Sequence, residues 1–484
     1  MQLNLPTKVL KIINKFEECG YEIYIVGGAV RDILMGKIVY DWDFTTNATP
    51  ENMLKIFPDA FYDNIFGTVG ILPDVEGERP YEITTFRTEY GYSDTRRPDK
   101  VEWGKTLEED LQRRDFTIDA LALKILNPKS KTLNKSKYEN PKDKTNHQSQ
   151  ITNHALITVN AELIDLFKGQ EDLNNKYIRA VGNPDERFSE DALRMMRAVR
   201  ISSELGYKIE EKTLQAIKKN AALINKIAKE RIKDELFKIV ASPHPSEGIL
   251  LFREVGLMHQ VLTELDETFG VEQKSPGRHH IYDVGTHCLM SLKYCPSNDP
   301  IVRLATLLHD IGKAKTFKKL ETGTITFYNH ELVSARLVKK IAERLRLSNK
   351  ESGKLWTLVR YHQFTVDERQ TDSAIRRFIR KVGMENISDM LDLRVGDRLG
   401  GGASETSWRL EEFKKRLIEV QKQPFSIKDL KIDGNDVMQI LGIKPGPKIG
   451  EVLQQLYNDV VDNKLDNKVS SLKKQVSKIY NGAR

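Results

Sequence analysis

The chain has 484 residues, too many for one ordinary hydrophobic core, and this length predicts three or four domains. Hydrophobic residues make up 39% and the net charge is +7 with an isoelectric point near 8.9, which fits a globular protein and is compatible with a polyanionic partner. No apolar run approaches the ~20 residues that a membrane span needs, and the three cysteines cannot form a disulfide framework. The N-terminus lacks the pattern of a secretory signal, so the cytoplasm is the expected location.

Helices and strands alternate in the predicted elements of the first ~125 residues. Helical spacing of apolar residues predicts helices over Lys8–Cys19 and Val30–Met35. Short apolar runs predict strands at Glu22–Val26, Asp41–Thr45, Thr68–Leu72 and Tyr81–Phe86. From about Phe188 onward long helical periodicities dominate, so the expected fold class is α+β, with a small mixed sheet followed by all-helical parts.

Polar residues dominate the segment 127–153, which has almost nothing to bury. This composition predicts a low-complexity surface insertion, because such a segment cannot offset its ordering entropy. Further breaks at 242–245, 274–277 and 400–403 predict boundaries within the helical part.

Gly27 and Gly28 follow the first of these strands and open a helical stretch that contains Arg31. Paired glycines let a phosphate approach the backbone, and helix N-terminal amides favour anions. Arg31 could add a charge-assisted contact. Taken alone, such a pair is more often a tight turn.

Asp41 and Asp43 lie one helix further on, two residues apart in a predicted strand, so their carboxylates should project together. Like charges at that separation repel unless cations lie between them, and oxygen ligands suit Mg²⁺. Glu82, on a neighbouring predicted strand, is the candidate third carboxylate, with an exposed strand residue as the equal alternative. The alternative interpretation of Asp41 and Asp43 is an Asp-x-Asp sequence in a surface turn. The glycine turn upstream of them favours a site for two-metal phosphoryl transfer instead.

Histidines and aspartates form a second ordered series in the other half of the chain. Lone histidines on apolar helices, as predicted for His244 and His259, are usually core residues. An apolar helix that carries adjacent His and Asp, within such a series, instead predicts a divalent transition-metal or Mg²⁺ site. The series consists of His287, His309, Asp310, His330, His362 and Asp397.

The segments GGAVRDILMG and DWDFTT resemble the first motif of the bacterial tRNA nucleotidyltransferases, the CCA-adding family, and of their poly(A) polymerase relatives. Further motifs follow in the family's order. They are a flexible loop at 85–87 and 94–98, a second motif at 109–118, a base-selecting neck motif at 190–200 and a last motif at 228–231. The resemblance is dense over about residues 20–240. Asp119 departs from it, because the family usually has Asn there, and this leaves the polar contact of that side chain open.

The neck motif predicts a helix from Phe188 onward, with Ser189 as its N-cap and with carboxylates in the first turn. A carboxylate and a guanidinium held side by side can imitate the edge of a complementary base, although a salt-bridged helix face is the simpler alternative. The resemblance assigns base selection to Asp191 and Arg194. The predicted nucleotide-binding set is Gly28, Arg31, Arg114, Asp115, Glu190, Asp191, Arg194, Arg197 and Arg200, with Arg114 and Asp115 as the candidates for triphosphate and ribose.

The second series resembles the HD phosphohydrolases, whose pattern is His…His-Asp…Asp. The resemblance maps the metal ligands to His287, His309, Asp310 and Asp397, and leaves His330 and His362 for a second metal or the substrate phosphate. It implies Ni²⁺, Mn²⁺ or Co²⁺ at this site. Related fused enzymes imply phosphatase or 2′,3′-cyclic phosphodiesterase action on damaged RNA ends.

Four domains are therefore expected: a nucleotidyltransferase head at 1–155, a neck and body at 156–275, an HD domain at 276–400 and a helical tail at 401–484. The expected reaction adds CCA, or its terminal A, to the 3′ end of tRNA from CTP and ATP without a template and with Mg²⁺. The partners are tRNA, ATP and CTP, with no membrane. The alternatives are a poly(A) polymerase, or an HD phosphohydrolase whose head only binds RNA.

Overall fold

The computed structural model describes residues 1–64, 67–73, 79–90, 100–104, 106–126, 133–134, 156–273, 282–364, 367, 369–420, 427–462 and 464–482. The chain forms two compact units, Met1–Thr263 and Glu264–Arg484. The predicted α+β class is confirmed, because one large mixed sheet lies in the first unit and the other described elements are helices and short ladders. The predicted loop at 94–98 lies outside the described residues, as does the segment 127–153 except for 133–134.

A nine-stranded mixed sheet forms the head of the first unit. Its order is β1-β11-β9-β2-β3-β6-β5-β4, with β10 paired to β11; β3 and β6 are parallel, and β7 and β8 form a separate hairpin. The strands of this unit are β1 (Gln2–Pro6), β2 (Ile23–Val26), β3 (Asp43–Thr46), β4 (Phe61–Asn64), β5 (Thr68–Ile71), β6 (Tyr81–Thr85), β7 (Arg87–Tyr90), β8 (Lys100–Trp103), β9 (Leu121–Leu126), β10 (Leu133–Asn134), β11 (Leu156–Asp165), β12 (Tyr177–Ile178) and β13 (Lys208–Ile209).

Helices cover this sheet and then continue as the neck and body. The first helix buries Val9, Ile12, Ile13 and Phe16, the apolar face that its spacing predicts, in the core of the sheet. The helices of this unit are α1 (Thr7–Glu18), α2 (Gly28–Leu34), α3 (Pro50–Ile56), α4 (Leu107–Gln112), α5 (Gly169–Asn175), α6 (Pro184–Glu190), α7 (Leu193–Leu205), α8 (Glu211–Asn220), α9 (Lys229–Ala241), α10 (Pro245–Glu254) and α11 (Leu257–Val261).

The predicted head boundary at residue 155 is wrong, because β11 begins at Leu156 and belongs to the head sheet. It pairs along its length with β1 and β9. The predicted boundary at 275 also lies too late, since the second unit begins at Glu264. The backbone N–H of Gly285 donates to the carbonyl of Thr268, so residues that follow Glu264 already join the helical packing of the second unit.

Helices make up nearly all of the second unit, whose only described strands form the two-residue β14–β15 ladder. Its tail has a separate hydrophobic core around Leu456 and Leu472. The elements are α12 (Thr263–Asp266), α13 (Val284–Tyr294), α14 (Pro300–Leu308), α15 (Lys313–Thr316), β14 (Lys318–Lys319), β15 (Ile325–Thr326), α16 (His330–Arg344), α17 (Asn349–Tyr361), α18 (Asp372–Val382), α19 (Ile387–Gly400), α20 (Trp408–Val420), α21 (Gly434–Leu441), α22 (Pro447–Val461) and α23 (Val469–Gly482). Among the helices described in either unit, none has the length and apolar character needed to cross a bilayer.

Candidate functional site

The turn between β2 and α2 brings two charged side chains against the backbone. Gly27 has a φ of +69°, a conformation that favours glycine. A Cβ at this position would lie 2.9 Å from Nη1 of Arg114 and 3.5 Å from Oδ2 of Asp43. Glycine therefore leaves room for Arg114 and Asp43 at the start of α2, next to Gly28.

The three predicted catalytic carboxylates gather at the start of β3 and on β6. Asp43 is the first residue of β3 and lies directly opposite Glu82 in the parallel pairing with β6. Asp41 was predicted to lie on the same strand, and this is wrong, because β3 begins two residues later and Asp41 lies in a bend. Its Oδ2 accepts a hydrogen bond of 2.7 Å from Nη1 of Arg79, and both side chains are more than half exposed.

The acidic groups at this edge of the sheet act on one another. Burial and the negative charges of Asp41, Glu82 and Asp119 raise the pKa of Asp43 to about 7. The positive charge of Arg114 lowers this pKa, but by less than the other groups raise it. Crowded carboxylates of this kind bind cations favourably, because a cation relieves their repulsion. We call Asp41, Asp43 and Glu82, with the Gly27 turn, the head site.

Arg114 is held at the head site by a buried carboxylate. Asp110 in α4 is fully buried and accepts hydrogen bonds from Arg113 at 2.6 Å and from Nη2 of Arg114 at 3.3 Å. Burial alone would raise the pKa of Asp110, but the charges of Arg113 and Arg114 hold it below its usual value. The buried Nε of Arg114 has no hydrogen-bond partner among the described atoms.

Asp119, the departure from the family pattern, pairs with Arg31. Nη1 of Arg31 lies 2.7 Å from Oδ1 of Asp119, and its Nε lies 3.0 Å from Oδ1 of Asp32. Both members of the Arg31–Asp119 pair are largely buried. The guanidinium that was predicted to contact phosphate is therefore bound by two carboxylates in this conformation.

Asp115 connects the second motif to the neck. Its Oδ1 lies 2.7 Å from Nε of Arg194 and its Oδ2 lies 2.5 Å from Nε of Arg197. Burial would raise the pKa of Asp115, but the charges of Arg197 and Arg194 lower it to about 2. With Glu190, which pairs with Arg194, four members of the predicted nucleotide-binding set thus form one ion-pair network.

The helix predicted from Phe188 onward is interrupted at Asp191, so the prediction of Ser189 as an N-cap is wrong. Ser189 lies inside α6, and its hydroxyl donates to the carbonyl of Asp185. Asp191 has extended backbone angles, and its Oδ1 accepts from the N–H of Leu193 at 2.9 Å. It therefore stabilises the start of α7 rather than lying within one continuous helix.

Asp191 and Arg194 face different partners in this conformation. Oδ2 of Asp191 lies 3.0 Å from Nη2 of Arg231, at the start of α9. Nη1 of Arg194, in α7, lies 2.6 Å from Oε2 of Glu190, the last residue of α6. Arg200, the last predicted member of the set, is bound by Glu235 at 2.7 Å and by Glu204 at 2.9 Å.

Six buried or largely buried groups meet in the second unit, and they are the six residues of the second sequence series. His287 comes from α13, His309 and Asp310 follow α14, His330 begins α16, His362 follows α17 and Asp397 lies on α19. The ligand atoms of two overlapping triads, one on each side of Asp310, lie within 4.8 Å of one another. We call this set the histidine–aspartate cluster.

Asp310 lies at the centre of the cluster. Its Oδ2 is 3.3 Å from Nε2 of His309 and 3.6 Å from Nε2 of His287, while its Oδ1 is 3.2 Å from His330 and 3.5 Å from His362. The two carboxylate oxygens therefore face two different pairs of imidazoles. This arrangement fits one metal ion on each side of a shared carboxylate.

Backbone carbonyls orient three of these imidazoles. Nδ1 of His309 bonds to the carbonyl of Thr306, that of His330 to Phe327 and that of His362 to Val359, at 2.7, 2.9 and 2.8 Å. A carbonyl can only accept, so each Nδ1 carries a hydrogen, and Nε2 is the ring atom that faces the centre and would bind a metal ion. Burial would lower the pKa of His309, but the charges of Asp310 and Asp397 raise it to about 10, so a metal ion bound at Nε2 would displace a proton.

Glycines on α19 allow Asp397 to approach the other ligands. A Cβ at Gly396 would lie 2.6 Å from the carbonyl oxygen of Ser291 on α13, and one at Gly400 would overlap the backbone N of Ser291. The close packing brings Oδ1 of Asp397 to 3.3 Å from Nε2 of His287.

Four further residues at these sites carry no predicted role. Asp110 could have been found from its spacing to Arg113 and Arg114 on one helix face. Arg79 pairs with a carboxylate that is distant in sequence, so no local pattern marks it. Arg231 lies in the last family motif at 228–231, but nothing local indicates its pairing with Asp191. Lys313, whose Nζ lies 2.6 Å from Oδ2 of Asp310, is one helical turn beyond that ligand.

Three family models match successive parts of the chain. The Poly A polymerase head domain matches residues 23–135, and the model described as "Probable RNA and SrmB-binding site of polymerase A" matches residues 206–269. The tRNA nucleotidyltransferase domain 2 model matches residues 324–476. The first match covers the whole head site.

Whole-chain comparisons agree with these matches. The chain is 33% identical to the CCA-adding enzyme of Limosilactobacillus reuteri over 97% of its own length and 95% of that protein. It is 35% identical to that of Ligilactobacillus salivarius over 96% and 95%. The fold matches the Bacillus stearothermophilus CCA-adding enzyme in complex with CTP with a TM-score of 0.66 and 25% identity, over 98% and 97% of the two chains. Since these likenesses extend over nearly the full length of both partners, the chain belongs to the CCA-adding enzyme family of tRNA nucleotidyltransferases.

Proposed function

We infer that the protein adds CCA to the 3′ end of tRNA from CTP and ATP without a nucleic-acid template, and we propose that the head site carries out this reaction. The observation that carries the proposal is the group of three interacting carboxylates beside the Gly27 turn and Arg114. Nucleotidyltransferases of this family use divalent metal ions. We propose that Asp41, Asp43 and Glu82 hold Mg²⁺.

The donor set fits Mg²⁺, because carboxylate oxygens are its preferred ligands and their mutual repulsion calls for cations. When bound, such ions activate the attacking 3′-hydroxyl and stabilise the charge of the leaving pyrophosphate. Arg114 is positioned by Asp110 and presents a guanidinium to the same turn, where it can bind a triphosphate. The paired strands fix two of the three proposed metal ligands, Asp43 and Glu82, which limits the reorganisation that the reaction requires.

Base selection is assigned to Asp191 and Arg194 in this proposal. A carboxylate accepts and a guanidinium donates, and together these groups can complement the polar edges of cytosine and adenine. In this conformation both side chains already form ion pairs, Asp191 with Arg231, and Arg194 with Glu190 and Asp115. We propose that an incoming base replaces at least one of these ion pairs, so that nucleotide binding and a change in the neck are coupled.

Incorporation on tRNA that lacks CCA, CA or only the final A tests the substrate assignment. Each tRNA is incubated with CTP, ATP or both, and the products are sequenced. Full CCA addition predicts C, C and A in order and then a stop. An enzyme that adds only A would extend just the last substrate, and long A tails on unrelated RNA would instead identify a poly(A) polymerase.

A second function is favoured by the histidine–aspartate cluster. We propose that it holds a divalent transition metal such as Ni²⁺, Mn²⁺ or Co²⁺ and hydrolyses phosphoesters at RNA ends. The fit rests on the buried imidazoles, whose Nε2 atoms converge on Asp310. A bound metal would supply an activated water for attack on phosphorus. Metal analysis of the purified protein and hydrolysis of 3′-phosphorylated RNA test this function, and a protein with neither metal nor hydrolysis would exclude it.

A further inference from the structure

A short hairpin with exposed aromatic side chains leads away from the histidine–aspartate cluster. It consists of residues 317–328, with Phe317 before β14 and with Phe327 and Tyr328 after β15. The carbonyl of Phe327 bonds to Nδ1 of His330, one of the cluster residues. We call these twelve residues the aromatic hairpin.

Consecutive contacts connect the cluster to the surface of the hairpin. Nζ of Lys313 lies 2.6 Å from Oδ2 of Asp310 and 5.4 Å from the centre of the Phe327 ring. The rings of Phe327 and Phe317 are 6.0 Å apart. Phe317 is 42% exposed and Tyr328 is 76% exposed, so flat apolar faces are available to a ligand beside the cluster.

Lysines accompany the aromatic rings. Lys318 and Lys319 form β14, and Lys315 lies just before it. Lys315 pairs with Glu267 at 2.7 Å, and Lys319 lies 3.5 Å from Glu272. The side chains of both pairs are about half exposed, so these ion pairs are weak and a phosphate group can replace the carboxylates. Lys318 has no acidic partner within salt-bridge distance among the described residues. Exposed aromatic rings interleaved with lysines are typical of surfaces that stack single-stranded bases and bind their backbone.

We propose that the aromatic hairpin binds the last bases of a single-stranded RNA end and presents its terminal phosphate to the histidine–aspartate cluster. Phe317 and Tyr328 stack the bases, and Lys318 binds the backbone phosphate. The proposal rests on the phosphohydrolase function proposed above and specifies its substrate as a nucleic-acid end rather than any small phosphoester. It assigns no role to the hairpin in nucleotide addition.

Two substrates of the full-length, metal-loaded protein distinguish this site from a general phosphatase. One is a 3′-phosphorylated RNA hexamer, and the other is glycerol 2-phosphate, which has no base. The measured quantity is kcat/KM for the hexamer divided by kcat/KM for glycerol 2-phosphate. We expect Tyr328→Ala and Phe317→Ala each to lower this ratio about tenfold, because each removes a stacking ring. The change should arise mainly from a higher KM for the hexamer. Tyr328→Phe should restore the ratio. Trp408→Ala, which removes another exposed aromatic ring outside the hairpin, is the matched control.

Cross-linking provides a readout that does not depend on hydrolysis. A hexamer with a photoreactive base next to its 3′-phosphate is irradiated with the full-length protein, and the cross-linked peptide is identified by mass spectrometry. Attachment within residues 313–328 supports the proposal. A ratio that Tyr328→Ala leaves unchanged, or a cross-link only elsewhere, overturns it even if the protein hydrolyses both substrates. If neither substrate is hydrolysed, the phosphohydrolase function fails, and the cross-link alone decides whether the hairpin binds RNA.

Discussion

Individual arginines at the head site are placed by carboxylates rather than by packing alone. Asp110 is the most buried of these carboxylates and binds both Arg113 and Arg114. A buried charge that loses its partner is costly, because the remaining group is left without compensation in a medium of low polarity. The same contacts therefore contribute to stability and to the position of the group proposed to bind the triphosphate.

Asp110→Asn should weaken both properties. We expect the free energy of unfolding to fall by about 3 kcal/mol, because two guanidinium groups lose their shared charge, and the KM for CTP and ATP to rise. Urea denaturation and steady-state incorporation measure the two effects. Asp59→Asn, at an exposed turn residue, is the matched control. Unchanged stability and KM in Asp110→Asn would show that Asp110 does not position Arg114.

Asp115 gives a pH-dependent prediction. Its pKa is about 2 in the folded protein, against about 3.9 in an unfolded chain, so the pairing with Arg194 and Arg197 contributes about 3 kcal/mol at neutral pH. A lowered folded-state pKa means that this contribution is complete above pH ~4 and is lost as the pH falls towards 2.

Denaturation of the wild type and of Asp115→Asn at pH 7, 5 and 3 measures this contribution. The stability difference between the two proteins should be equal at pH 7 and 5 and smaller at pH 3. A difference that grows on acidification would contradict the assigned ion pairs.

At the scale of elements, the sequence predicts which helices and strands exist better than where they begin. The first helix was predicted over Lys8–Cys19 and spans Thr7–Glu18, because its apolar face is a local property. At the interruption, Asp191 contacts Arg231, forty residues later in the chain, and no local periodicity reveals such a partner.

The strands of the head sheet are also set by pairings between segments that are distant in sequence, and the sequence does not predict such pairings. The strand β11 was missed because its role is set by β1 and β9, and the boundary at 155 failed with it. The residues of the histidine–aspartate cluster were all predicted, since their order along the chain matches a known pattern. The two-sided arrangement around Asp310 follows only from the helix packing.

Helix α19 must lie close to α13 for Asp397 to reach His287. We expect Gly400→Val to separate the two helices, because its side chain would overlap Ser291, and to reduce the metal content of the second unit at least tenfold. Gly353→Ala on α17 is the control, since open space surrounds that position and alanine favours the helix. Metal analysis of both variants by mass spectrometry tests this, and full metal binding by Gly400→Val would contradict the packing argument.

At the scale of the whole molecule, two proposed chemistries reside in two compact units. The carboxylate set of the head site and the imidazole-rich cluster differ in the metal ions that they suit. The two activities should therefore be separable by mutation and by metal.

His309→Ala should abolish RNA phosphate hydrolysis and reduce bound transition metal, while incorporation of CTP and ATP with Mg²⁺ stays within about twofold of the wild type. Chelation should stop both activities, and Mg²⁺ alone should restore incorporation. Parallel assays of one protein preparation measure both. Loss of incorporation in His309→Ala without loss of folding would contradict the separation.

The central claim is that Asp43 and its neighbouring carboxylates catalyse nucleotide addition. Single-turnover incorporation of C and A into tRNA that lacks CCA tests it most directly, with wild type, Asp43→Asn and the Asp59→Asn control compared at saturating Mg²⁺. We predict that Asp43→Asn lowers the rate by at least about a thousandfold, as expected for loss of a catalytic metal ligand, while the control matches the wild type. A folded Asp43→Asn protein that adds nucleotides within tenfold of the wild-type rate would contradict the account.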